Sequence, residues 1–200
     1  MGLTERRLRQ QEELKQQIIS CSREIVENEG WNALSIRKIA DAIEYSVPVI
    51  YKHFENKEAI STFFVQEGFQ NLHKELEEQI DDSKEVSDKL GQLAKAYWLF
   101  AVKYPKHYEI MFGLGIPTCE KTNESENIKK VSNKMLGLIE EAIALSGKTH
   151  IDKYLKLKTL WSILHGIVAI ELLSLNSRDN ICPSEVLKDA IDGYIKSILV

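Results

Sequence analysis

Apolar residues recur at helical spacing along nearly the whole chain, and no stretch alternates as a strand would. Leu14, Ile18, Cys21 and Ile25 form one stripe, which predicts a first helix over about 8–28 that Gly30 ends at a C′ position. Ile36, Ile39, Ala40 and Ile43 form the apolar face of a short second helix, with Ser35 placed to cap it. Ile50 and Phe54 supply apolar partners from a short third element, for which Ser46 is the expected cap and Pro48 lies in the first turn.

Longer stripes follow. A fourth helix is expected over 57–79, capped by Asn56 with Glu58 in its first turn. A fifth covers 86–103 and stops ahead of Pro105, because the residue before a proline is pushed out of the helical region. Short and long helices are then expected over 106–112, 126–145 and 151–175, and a last one begins at Pro183. The helix over 151–175 is apolar nearly all round from Leu160, so it needs cover on more than one side. Glu171 on that helix needs a partner or solvent. The segments 113–125 and 176–181 read as loops. The prediction is an all-α chain of about nine helices: an N-terminal three-helix head over 1–56 and a helical body over 57–200.

Composition and charge narrow the classes. Of 200 residues, 44% are hydrophobic and 28% charged, as in an ordinary globular protein. The apolar run near 163–175 is interrupted and too short to span a bilayer, and the N-terminus shows no secretory h-region, so the expectation is cytoplasmic with no membrane partner. Cys21, Cys119 and Cys182 form no pair at metal or redox spacing, which fits a reducing compartment and predicts neither metal nor cofactor. The net charge is −4; residues 1–60 carry 9 basic and 10 acidic side chains, a balance of −1. So few phosphate partners favour a two-fold dimer, which doubles them.

Two short helices joined by a tight turn are helix-turn-helix geometry, whose second helix enters a DNA major groove. The motif is dense here: Ser-Ile-Arg-Lys-Ile-Ala at 35–40, then Ser46, Ile50-Tyr51, His53-Phe54 and Lys57-Glu58. In these residues the chain resembles the DNA-binding domain of the tetracycline-repressor (TetR) family. Tyr104-Pro-Lys-His-Tyr-Glu-Ile-Met-Phe-Gly113 and Trp161-x-x-x-His165-Gly166 further resemble its Trp-His-Gly subclass. The resemblance implies a transcription regulator with a DNA-binding head and a dimerising, ligand-holding body. Its partners would be a palindromic double-stranded operator, a second copy of the chain and a small-molecule effector, with a repressor released by that effector as the commonest arrangement. One departure stands out. Glu44 occupies the turn, where many members carry glycine, and glutamate at positive φ is strained. Either the turn has another backbone, or it is strained and Tyr45 helps to hold it.

The resemblance places Tyr51 and Lys57 on DNA phosphates. Ser35 and Arg37 either touch the DNA backbone or simply cap and solvate α-helical ends. Ser46, Val47, Val49 and Lys52 are best placed for base edges, with packing inside the head the alternative for the valines. His53 is a further phosphate candidate. Arg6, Arg7 and Arg9 make either a flexible minor-groove arm or a solvated tail. In the body, Trp98, Tyr104, Tyr108, Met111, Phe112, Trp161 and His165 are candidate ligand-lining residues, against the alternative of an ordinary core. The last two helices are the expected dimer surface. No catalytic set of spaced acids, bases or nucleophiles appears, so the chain is not expected to be an enzyme. The competing readings are an enzyme on a helical scaffold and an adaptor with an unused helix-turn-helix.

Overall fold

The computed structural model describes residues 3–113, 126–173 and 183–200, with the side chains of 3–4, 171–173 and 183 not described. Cys119, Cys182, residues 114–125 and 176–181 of the two expected loops, and the side chain of Glu171 lie outside the described residues. Within them are nine α-helices: α1 (Leu3–Glu29), α2 (Ile36–Ala42), α3 (Val47–Ile50), α4 (Lys57–Gln79), α5 (Val86–Lys103), α6 (Pro105–Phe112), α7 (Glu126–Ser146), α8 (Lys153–Leu173) and α9 (Pro183–Leu199). A 3-10 turn, Trp31–Ala33, joins α1 to α2, and the described residues contain no strand.

Two units divide the chain. The first holds the described residues through Val65 together with 109–113, and the second holds Gln66–Tyr108 and the described residues from 126 onward. The first unit therefore runs past residue 56 into α4. Its core explains this: Ile60 and Phe64 of α4 are buried with Ile18, Ile25, Trp31, Ile39 and Ile50. Trp31 meets Phe64 edge-on at 5.3 Å, and the Arg23 guanidinium lies 5.2 Å from the Phe64 ring centre. Burying an isoleucine such as Ile39 completely contributes roughly 2–3 kcal/mol.

α1 begins at Leu3 rather than near residue 8, so Arg6, Arg7 and Arg9 stand on a helix and do not form an extended arm. Nothing in their sequence breaks a helix, and leucine, arginine and glutamine are good helix formers. Gly30 follows α1 at φ 82°, and its N–H donates to the Val26 carbonyl. Asn56 caps α4 as its sequence predicts, with Oδ1 accepting the Ala59 N–H at 2.8 Å.

In the second unit α5, α7, α8 and α9 pack on one another. The inward stripe of α5 is Leu90, Leu93, Ala94, Tyr97, Phe100 and Ala101. α8 buries Leu160, Leu164 and Val168, one turn apart. Lys89 of α5 is buried, and its ammonium reaches both carboxylate oxygens of Glu141 on α7, at 2.6 and 2.7 Å.

Candidate functional site

The turn between α2 and α3 is held by backbone bonds. The Tyr45 N–H donates to Ala40 O at 2.9 Å and the Glu44 N–H to Asp41 O at 3.4 Å, the paired bonds of a Schellman motif. Glu44 fills its C′ position at φ 58°, the one non-glycine residue with positive φ among those described. The strained alternative therefore holds, and Tyr45 helps through its N–H. Its side chain is exposed.

Ser46 occupies the N-cap of α3, but its hydroxyl makes no capping bond. The reason lies in the next residues. Pro48 has no N–H to offer, and the Val49 N–H already donates to the Ser46 carbonyl at 2.9 Å. The expected cap is thus absent and the hydroxyl stays exposed at the mouth of the helix. Ser35, by contrast, does cap α2, accepting the Lys38 N–H at 3.2 Å.

α3 proper is one turn long, and helical winding continues through Lys52 and His53 by bonds to Val49 and Ile50. Ile50 and Phe54 anchor this segment in the core. Ser46, Tyr51 and Lys52 are exposed, and Val47, Val49 and His53 are half-buried. One segment thus brings together Ser46, Val47, Val49, Tyr51, Lys52 and His53, while Ser35 and the exposed Arg37 lie at the start of α2. Lys57 begins α4 and donates to the Trp31 carbonyl at 3.1 Å, which ties the helix start to the beginning of the 3-10 turn. A groove of about 470 Å³ lies beside this segment, lined by Val49, Lys52 and His53 on one wall and by Arg7, Gln10, Gln11 and Leu14 of α1 on the other.

In the second unit the structure joins three of the expected ligand-lining residues through one that the sequence pass left out, Tyr97. Trp161 hydrogen-bonds to Tyr97, Tyr97 Oη lies 3.3 Å from Tyr108 Oη, and Tyr108 Oη lies 2.7 Å from His165 Nδ1. An indole N–H only donates, so Trp161 is the donor to Tyr97. Each tyrosine hydroxyl donates one bond and can accept two, so a His165 protonated on Nε2 accepts from Tyr108 and one protonated on Nδ1 donates to it. Burial pushes the Tyr97 and Tyr108 hydroxyls above their usual range and holds His165 below its own. The spacing of the α5 stripe held the signal for Tyr97: it falls on the inward phase and Trp98 does not.

Trp98 is half-buried, and its Nε1 has no hydrogen-bond partner among the described residues, as is true of His73 Nδ1 on α4. Tyr104 stands beside Phe100 at 5.4 Å under the Lys103 ammonium. Met111 and Phe112 fall in the first unit, so the structure does not group them with the rest. A second contact missed by the sequence pass joins His107 Nε2 to Glu67 Oε2 at 2.7 Å. Forty residues separate the pair, and no local pattern announces it.

Comparison with known proteins now adds to this geometry. A family model described as bacterial regulatory proteins of the tetR family matches residues 18–61, and one described as a tetracyclin repressor-like C-terminal domain matches residues 90–179. The chain belongs to the TetR family. Its helix-turn-helix and its body fall in the order and places that the two models require, and it is a DNA-binding transcription regulator. An HTH-type transcriptional regulator of Bacillus subtilis, YobS, is 28% identical over 76% of each chain. An HTH-type transcriptional regulator of Haemophilus influenzae is 29% identical over 46% of this chain, and the match spans half of that relative's length. Among solved structures, the B. subtilis transcriptional regulator FadR in complex with stearoyl-CoA has the same fold, with a TM-score of 0.71 at 19% identity over 92% of this chain and 98% of FadR. Among the described residues of this TetR-family chain no helix is long and apolar enough to cross a membrane, and no cluster of three metal-ligating side chains occurs.

Proposed function

We propose that this TetR-family chain is a cytoplasmic repressor that holds a palindromic operator as a homodimer and releases it when a small molecule with an apolar portion enters the body. The observation that carries the effector reading is the pair of neighbours His107 and Tyr108 on α6. Tyr108 reaches α8 through His165, and His107 reaches α4 through Glu67. A guest that competes for Tyr108 or His165 therefore acts on the short helix that is also tied to α4, whose first turns belong to the DNA-binding unit. Trp98 Nε1 supports a guest bearing an acceptor, since a buried donor without a partner is rare. The stearoyl-CoA held by the fold neighbour FadR supports one with a long apolar chain.

Dimerisation is supported by apolar side chains left exposed on α8 and α9: Leu155, Ile170 and Val186. On the DNA side, Tyr51, Lys57 and His53 are assigned to phosphates, with Ser35 and Arg37 flanking. Ser46, Val47, Val49 and Lys52 are assigned to base edges. The effector reading is tested by fluorescence anisotropy of a labelled operator bound to the full chain, titrated with acyl-CoAs, free fatty acids and aromatic acids. At least one class is expected to lower operator affinity, and His165→Ala to weaken that response. Operator affinity unmoved by every class removes the effector reading. The adaptor reading is separated by Tyr51→Ala with Lys57→Ala, which costs an adaptor nothing and costs a repressor its DNA.

A further inference from the structure

Arg7, Gln10, Gln11 and Leu14 are spaced i, i+3, i+4, i+7, so they form one stripe along the first turns of α1. That stripe is the wall of the groove facing Val49, Lys52 and His53. The groove lining carries cations and amides and no carboxylate. Glu12 and Glu13 line a separate concavity with Arg9, Gln16, Gln17 and Ser20, and Glu5, two residues before Arg7, lies off the Arg7 face. Charge on α1 is thus sorted: the side next to the recognition segment is free of acids, in a head whose overall balance is negative.

Dimensions decide what that stripe meets. A B-DNA major groove is about 12 Å wide. An α-helix with its side chains fills about 10–12 Å of it. When α3 enters the groove, a helix flanking it has no room inside and meets the rim, which is sugar and phosphate. We infer that the first turns of α1 form a second wall of the DNA interface, with Arg7 paired to a backbone phosphate beside the bases that Val49 and Lys52 face, and Gln10 and Gln11 hydrogen-bonded to the same stretch of backbone.

This inference rests on the DNA-binding reading, and the two fail separately. The experiment measures affinity of the full chain for its selected operator across a salt series. Each phosphate neutralised contributes about 0.9 to the slope of log K against log salt. Arg7→Ala should lower that slope by about 2 for a dimer, and Arg7→Lys should retain it. Gln11→Ala, with Gln10→Ala beside it, should weaken binding several-fold at every salt concentration while leaving the slope unchanged. Gln16→Ala on the opposite side of α1 and Lys95→Ala on α5 should change neither. All the substituted side chains are exposed, so the variants are expected to fold, and circular dichroism checks that they do. If the wild-type chain binds DNA and Arg7→Ala keeps its slope, α1 is not part of the interface. If the wild-type chain shows no salt-dependent binding, both readings fall.

Discussion

Glu44 offers the sharpest test of the local physics. It sits at φ 58° at the C′ position of α2, with both Schellman bonds formed around it. A side chain in the left-handed region costs roughly 1–2 kcal/mol. Glycine removes that cost but has more freedom to lose on folding, which takes back about 0.5–1 kcal/mol. Glu44→Gly should therefore stabilise the first unit by about 0.5–1 kcal/mol net, worth a melting-temperature rise of about 1–4 °C in a chain of this size. Glu44→Ala keeps the Cβ and hence the strain, so it should stay near wild type. The assay is urea unfolding by circular dichroism, paired with hydrogen exchange at the Tyr45 amide, which is held by the Ala40 carbonyl. Slower exchange at Tyr45 and a higher midpoint are expected for the glycine variant alone. A glycine variant no more stable than wild type, or an alanine variant equally stabilised, would refute the strain argument.

Three further outcomes follow from the same geometry. Lys89 is 9% exposed and Glu141 41%, so the pair is asymmetric: Glu141→Gln leaves a buried ammonium short of charge and should cost about 2–4 kcal/mol, whereas Lys89→Met should stay within about 1 kcal/mol, both read by urea titration. Lys57→Ala removes the bond to the Trp31 carbonyl and should destabilise by about 1–2 kcal/mol in the same assay, besides weakening DNA binding. Burial holds the His165 imidazole below 6.5, so the unfolded chain takes up the proton first and stability is lost as pH falls below about 6.5. The difference in unfolding free energy between pH 7.5 and 5.5 should shrink in His165→Asn, and an unchanged difference would exclude His165 as its source.

Helix positions were legible because each buries one face. The bounds of α4 and α5 follow from Asn56, Pro105 and the apolar stripes between them. The start of α1 was not legible: residues 3–7 contain no helix breaker but also no apolar stripe, and only a neighbouring element shows which of their faces matters. The recognition segment was readable from Ser35, Ile39, Ile50 and Phe54, yet the missing Ser46 cap depended on which N–H groups remained, a question of backbone bonding. In the body, Trp161 and His165 were paired by their i, i+4 spacing. Tyr97 and Tyr108 meet only because α5 and α6 fold together, and Glu67 meets His107 across forty residues. Contacts of that range are set by packing and leave no local pattern.

The central claim is that the segment from Ser46 to His53 reads DNA in two copies. Selection from a random duplex pool with the full chain, followed by anisotropy on the enriched sequence at 150 mM salt, tests it directly. The account predicts enrichment of an inverted repeat with half-sites about one helical turn apart or a multiple of it. It also predicts that Val49→Ala with Lys52→Ala abolishes preference for that repeat over scrambled DNA. No enrichment, or a preference that survives the double variant, would contradict it.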